Sequence, residues 1–220
     1  MIVLEREAGA GPSLSLARSG PLDKLREHFE SYHWALAPGL MGPRMLDWVR
    51  EEVERTAFDE REEAGLVSEL TIDGSSSLVA RLLFLFNDPA LYRVVEEITG
   101  IPRLARYDGR IYRRLARPGH YNEWHDDLAG DARLVAMSIN LGSEPYSGGV
   151  LALRHKGAAT MLGEVHNSGP GDALLFRVRA DLVHRVTTVT EGEKMASVGW
   201  FGAAPPWPLP VPPEGRWSHP

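Results

Sequence analysis

Leu182-Val-His-Arg-Val-Thr-Thr-Val-Thr-Glu-Gly-Glu-Lys-Met-Ala-Ser-Val-Gly-Trp-Phe201 is the stretch whose reading decides the fold. Two runs rich in β-branched and apolar residues flank Glu191-Gly192, which is the signature of a hairpin turn between two strands. Just before it, Pro170-Gly-Asp-Ala-Leu-Leu-Phe176 reads as a turn feeding a buried strand. Further strands are expected at Leu104–Tyr107, Arg110–Leu115, Glu123–Asp127, Leu134–Leu141, Val150–Leu153 and Thr160–Val165. The later ones fall at Ala173–Val178, His184–Val189 and Met195–Phe201. So many short strands in succession, broken by Gly, Pro, Asn and Asp, predict a sandwich, jelly roll or barrel.

The first hundred residues read differently. Pro21 to Glu30 predicts a short helix, and Tyr32–Leu36 a strand broken by Pro38-Gly39. Pro43 opens a helix in which Met45, Leu46, Val49 and Val53 recur at helical spacing. Leu78 to Phe86 reads as a buried helix. Asn87-Asp88 caps another, with Pro89 in its first turn and Gly100 past its end. Between them, 58–76 reads as a long loop with a short strand at Leu70–Ile72, and hence as a lid candidate. The expected fold class is α+β, mainly β, with the helix-rich part (1–100) packed on one sheet of a β core (101–204). The Pro-rich tail (205–220) is expected to run extended over the surface. Its last residues, Trp217-Ser-His-Pro220, match the start of a common affinity tag, so His219 is given no role.

Composition narrows the function classes. The chain has 220 residues, a net charge of −6 and no basic stripe, which argues against a nucleic-acid partner. It contains no cysteine, which excludes disulfides, thiolate metal sites and Cys nucleophiles. No apolar run approaches the ~18 residues of a membrane span, and the N-terminus lacks a signal-peptide pattern; a cytoplasmic protein is expected.

The chemistry converges on Tyr121-Asn-Glu-Trp-His-Asp-Asp127. On a strand, His125 and Asp127 would face the same side, about 6.7 Å apart, and could bind one cation. His184, from another strand, is the best-placed third ligand. Two histidines and one carboxylate leave coordination positions open for a chelating cosubstrate and O2, as non-haem Fe(II) oxygenases require. A buried histidine hydrogen-bonded to an aspartate explains His125-x-Asp127 equally well. Lys194 falls on the return strand, where a buried ammonium needs an anionic partner. The distal carboxylate of 2-oxoglutarate would serve, and a solvated hairpin lysine is the competing reading.

These motifs together resemble the 2-oxoglutarate/Fe(II) dioxygenase superfamily, in its prolyl-4-hydroxylase-like branch. The resemblance runs from about Arg106 to Phe201. It rests on His125-x-Asp127, Val135–Leu141, Tyr146–Leu151, Gly171–Phe176, His184-Arg-Val, Lys194 ten residues after His184, and Trp200 six residues after Lys194. It implies a double-stranded β-helix (jelly-roll) core with iron held by His125, Asp127 and His184. Fe(II), 2-oxoglutarate and O2 would be the cofactors, and succinate and CO2 the coproducts. Members of this branch carry tyrosines three and nine residues before the first histidine; here those positions are Asn122 and Ala116. Tyr112 and Tyr121 are nearby hydroxyls, and Asn140, Ser138 and Ser197 are further hydrogen-bonding candidates for the cosubstrate. Trp124, His120, Arg154 and Trp200 are candidates for the substrate side. The carboxylate of Asp127, which related halogenases lose, favours hydroxylation. The expected substrate is an amino acid, a short peptide or a small natural product. A cupin-like metalloenzyme without 2-oxoglutarate and a non-catalytic jelly-roll module are the alternatives.

Overall fold

The computed structural model describes residues 3–5, 22–63, 65–117, 119–128, 133–166 and 169–203. The expectations for the remainder of the N-terminal arm, for Pro21 and for the Pro-rich tail fall outside these residues. The helix-rich half contains α1 (Asp23–Tyr32), β1 (Trp34–Ala37), α2 (Pro43–Glu54), β2 (Asp59–Glu63), β3 (Val67–Ile72), α3 (Ser77–Phe86) and α4 (Pro89–Thr99). The β half follows with β4 (Arg106–Leu115), β5 (Tyr121–Asn122), β6 (Arg133–Asn140), β7 (Ser147–Gly148), β8 (Leu151–His155) and β9 (Met161–Val165). It ends with β10 (Ala173–Arg177), β11 (Leu182–Val186), β12 (Val189–Glu191) and β13 (Glu193–Gly202).

Local chemistry explains the helix ends. The Ser76 hydroxyl accepts from the Leu78 N–H at the start of α3, and the Asp88 carboxylate accepts from the Ala90 N–H at the start of α4. Each satisfies a donor that the first helical turn leaves open. Pro89 sits where no N–H is needed, and Gly100 ends α4 in the left-handed region at φ 67°.

The large antiparallel sheet runs β1-β10-β6-β13-β4-β3-β2, with β5 added to β3, and it faces the smaller sheets β11-β8-β9 and β12-β7. Strand β13 lies inside it, paired to β4 along its whole length and to β6 on the other side. Alternation then sorts the side chains. Ile111, Met137, Ile139, Leu175 and Phe201 turn to the helices and form the main core with Phe29, Val49, Phe86 and Leu91. The opposite face carries Tyr112, Arg114, Ser138, Lys194 and Trp200 into a cavity that β8 and β11 close with Leu151, His184 and Val186. This curled sheet with four helices on one side is the jelly-roll, double-stranded β-helix architecture.

Three expectations change. The 58–76 loop is a hairpin, β2-β3, that extends the large sheet through Leu70↔Arg113, Thr71↔Tyr112 and Ile72↔Ile111. Its charged composition hid a strand because Glu69, on the buried face, is neutralised by arginines from β4. The runs at 104–107 and 110–115 are one strand. Gly109 does not turn the chain there; a Cβ would stand 2.3 Å from the Val198 carbonyl oxygen, so only glycine lets β4 and β13 approach. Finally, 123–127 is not a strand.

Candidate active site

His125 meets β11 at a single antiparallel bridge. Its N–H donates to the His184 carbonyl (3.0 Å), and the His184 N–H donates back to the His125 carbonyl (2.9 Å). These reciprocal bonds set the two imidazoles side by side, with ring centroids 4.2 Å apart. The chain then leaves the extended conformation, and Asp127 adopts φ 59°. Aspartate is among the few residues that tolerate this left-handed region. The convergence of His125 and Asp127 therefore comes from a turn, not from the pleat of one strand. His125 Nε2 lies 3.1 Å from Asp127 Oδ1, and His184 Nε2 lies 3.5 Å from Asp127 Oδ2. One donor atom from each of the three residues falls within 4.8 Å of the others, so the group could hold a metal ion.

The protonation states suit that use. His125 Nδ1 is 2.6 Å from the Glu123 carbonyl oxygen, which can only accept, so Nδ1 carries a proton; burial alone would lower His125, but its bond to Asp127 raises it above the ordinary imidazole value, so a metal at Nε2 would take the place of the proton shared with Asp127. Burial pushes His184 down to about 4, leaving it neutral and able to ligate. Burial alone would raise Asp127, but the neighbouring His184, the bond to His125 and the Trp200 donor hold it well below the usual carboxylate range. Trp200 Nε1 donates to Asp127 Oδ2 at 2.8 Å, and Arg133, 3.9 Å from the Trp200 ring, donates to the Asp127 carbonyl at 3.2 Å. Trp200 thus orients the carboxylate. Trp200→Phe keeps the ring and removes the donor, and it is expected to weaken metal binding about 10- to 100-fold in a competitive chelator titration.

Across the same cavity, Lys194 is 3% exposed. Its Nζ donates to the Gly149 carbonyl at 2.5 Å and lies 5.6 Å from the Tyr146 ring centroid. No carboxylate pairs with it among the described residues. Burial and then the nearby Arg114 lower it from 10.5 to about 7. Gly149 is required here: at φ 60° its Cβ would stand 2.9 Å from Lys194 Cδ. Tyr112 reaches this end from β4, hydrogen-bonded to Ser138.

The cavity encloses about 500 Å³. Its lining brings together His125, Asp127, His184, Lys194, Tyr112, Ser138 and Trp200, and the β2-β3 hairpin contributes Arg61, Glu63 and Val67. Six other residues singled out in the sequence do not line it, among them Arg154 and Tyr121, whose hydroxyl accepts from the Gly65 N–H. Ser197 pairs with Ile111 and Ile139 across the sheet and shares their helix-side face. Asn140 is turned to its own backbone, its Oδ1 accepting from the Gly142 N–H at 3.0 Å. His120 is buried behind β4, where Nδ1 accepts from the Leu115 N–H at 2.9 Å. Trp124 alternates away from His125 and is stacked between Arg154 (4.0 Å) and Arg185 (4.9 Å) on the outer side. Asn122 lines the cavity but spends its Oδ1 on the Val186 N–H (2.7 Å). The sequence reading missed Tyr146, Arg133, Arg114 and Glu69. The signal for Arg114 lay in Arg110-x-Tyr112-x-Arg114, whose alternation puts two arginines on the inner face of a buried strand.

Two imidazoles and a carboxylate at one end of a jelly-roll cavity, with a buried cation across from them, make the layout of a mononuclear non-haem iron oxygenase. Residues 106–202 match the model of the 2OG-Fe(II) oxygenase superfamily. Over that segment, somewhat less than half of its length, the chain is similar to that superfamily, and with the ligand group in place it is a 2-oxoglutarate-dependent dioxygenase that uses Fe(II), 2-oxoglutarate and O2. Solved structures share the fold. A Pseudomonas putida prolyl-4-hydroxylase superposes with a TM-score of 0.60 at 18% identity, covering 84% of this chain and 100% of the other. A Trichoplax adhaerens prolyl hydroxylase, in complex with a hypoxia inducible factor peptide fragment, gives 0.62 at 14% identity, covering 83% and 89%. The alpha ketoglutarate dependent epimerase SnoN of nogalamycin biosynthesis gives 0.60 at 14% identity, covering 83% and 81%. No curated protein matches in sequence. Among the described residues no helix is long and apolar enough to cross a membrane.

Proposed function

We propose that His125, Asp127 and His184 hold the Fe(II), that Lys194 binds the distal carboxylate of 2-oxoglutarate, and that the enzyme hydroxylates an unactivated C–H of a small substrate. The observation that carries this reading is the pairing, in one cavity, of three converging ligand atoms with a buried lysine that lacks a carboxylate partner. The residues fit the groups. An anionic carboxylate supplies what the Lys194 ammonium lacks, and two imidazole Nε2 atoms converging on an ionised Asp127 suit a divalent cation, which would displace the proton that His125 shares with Asp127. When bound, iron and 2-oxoglutarate supply oxidising power from O2, with succinate and CO2 as coproducts. The chain's own residues do the rest. Trp200 and Arg133 fix Asp127, the Glu123 carbonyl fixes the His125 tautomer, and Leu174 and Phe176 wall the site against water.

The substrate class we infer is an amino acid, a short peptide or a small natural product. About 500 Å³, part of it taken by the cosubstrate, leaves room for a ligand of that size. The solved relatives include one holding a peptide fragment and one from natural-product biosynthesis. A succinate-release screen over free amino acids, short peptides and natural-product scaffolds tests this. The expected result is a stimulating compound that gains one oxygen atom. Stimulation confined to folded proteins would overturn the class.

A pH dependence follows from Lys194, which in the empty protein loses its proton near 7. The charged group facing it is Arg114, held in turn by Glu69, and Tyr112 and Tyr146 lie at the same end of the cavity. Burial opposes the ionisation of Glu69, but Arg110 and Arg114 outweigh it and keep the carboxylate ionised, while burial raises both tyrosines. The lowered Glu69 and the raised tyrosines therefore keep their charge states between about pH 6.5 and 9. Binding of the carboxylate needs the ammonium, so above pH 7 it requires proton uptake. The 2-oxoglutarate Kd is expected to be flat below pH 7 and to rise toward about tenfold per unit above it. The unfolded chain keeps its lysine proton up to about 10.5, so the empty protein gains stability over the same rise in pH. Calorimetric titration across this range reads the first effect and thermal melts read the second.

A further inference from the structure

Arg114 is buried in the wall of the cavity with Glu69 paired to it from β3, and the iron and lysine sites leave both without a role. Glu69 is 1% exposed and Arg114 is 4% exposed. Glu69 Oε2 accepts from Arg114 Nη2 (2.7 Å) and Nε (3.2 Å), while its Oε1 accepts from Arg110 Nη2 (2.7 Å) and Nε (3.0 Å). This pairing uses one edge of the Arg114 guanidinium. The remaining nitrogen, Nη1, is buried with no hydrogen-bond partner, and Arg114 lines the cavity. A buried unpaired donor on a charged group is costly, so a ligand that accepts from it is strongly favoured.

The register says which ligand group. Arg114 and Lys194 are direct cross-strand partners, both on the cavity face of the sheet. The internal carboxylate Glu69 pairs with Arg114, Arg110 and Arg61 and not with Lys194. Arg114, Lys194 and the metal group line the same cavity. Tyr112 stacks at 4.6 Å from the guanidinium and holds it in place.

We propose that Arg114 is a second cationic contact for the distal carboxylate of 2-oxoglutarate, beside Lys194, and that Glu69 is the positioning residue that turns Arg114 Nη1 toward it. The proposal rests on the cosubstrate reading above and extends it. Glu69 comes from β3, outside the segment that matches the family model. The hairpin 59–72 therefore helps build the cosubstrate pocket, and is not only a cover for the substrate.

The test compares 2-oxoglutarate with 2-oxopentanoate, which keeps the keto acid and chain length but has a methyl group in place of the distal carboxylate. Calorimetry on Ni(II)-loaded protein reads both affinities without turnover. Wild type is expected to prefer 2-oxoglutarate. Arg114→Met is expected to weaken 2-oxoglutarate about 10- to 100-fold while leaving 2-oxopentanoate within about twofold, and Arg114→Lys to recover part of the loss. If Arg114→Met keeps the wild-type preference, the Arg114 assignment is wrong and the Lys194 assignment stands. If wild type shows no preference or no binding, the cosubstrate reading itself fails. Arg114→Met strands the Glu69 charge; should it not fold, the double variant Glu69→Gln/Arg114→Met removes both partners and gives the same readout.

Discussion

Replacing Lys194 with methionine is expected to make the empty protein more stable and to strip it of cosubstrate affinity. The two effects have one cause. The ammonium is buried, it leans on the Gly149 carbonyl, and its nearest charged neighbour is another cation, Arg114. Methionine matches its length and fills the same space beside Gly149 and Tyr146 without a charge to desolvate. Exchanging buried charge for apolar volume typically stabilises by about 1–4 kcal/mol. Losing the partner of a buried carboxylate costs about 2–5 kcal/mol, so 2-oxoglutarate should bind at least roughly 30-fold more weakly. Thermal melts and 2-oxoglutarate titration of the same variant read the opposite signs. A variant that melts lower and binds normally would place Lys194 in a purely structural role.

His184→Ala is expected to remove metal binding with little change in fold. The bridge that joins 125 to 184 is made by backbone atoms, so it survives truncation of the side chain. What is lost is one of three ligand atoms, together with the packing of the ring on Phe176 at 4.5 Å. Residues that merely support a metal ligand are worth about 10- to 100-fold in affinity, so removing the ligand itself should exceed about 100-fold. Metal content after dialysis and far-ultraviolet circular dichroism check the two halves. Full metal content in the variant would contradict the assignment.

Much of this was legible in the sequence. Most strands of the β half and the helices α2, α3 and α4 followed from periodicity and from Pro43, Asp88, Pro89 and Gly100, because caps and buried stripes are local. His125, Asp127, His184 and Lys194 were also singled out, through spacing within and beyond one hairpin, and the fold brings them to one cavity. What escaped depended on pairing across the chain. Glu69 looked like one more charge in an acidic loop; only the register of β3 on β4 shows that it is buried between Arg110 and Arg114. Trp200 read as a substrate contact, and only the turn at Asp127 brings that carboxylate to its indole N–H. Asn140 and Ser197 fitted the chemistry of a cosubstrate pocket, yet a one-residue change of face on a strand sends Ser197 to the helices. His120 and Trp124 sit close to His125 in sequence but lie outside the cavity.

The most direct test of the central claim is anaerobic addition of Fe(II) followed by 2-oxoglutarate, watched in the visible range. Wild type is predicted to develop the metal-to-ligand charge-transfer band of an iron-bound keto acid, and His184→Ala to show none. No band in wild type, or an undiminished band in His184→Ala, would contradict the account.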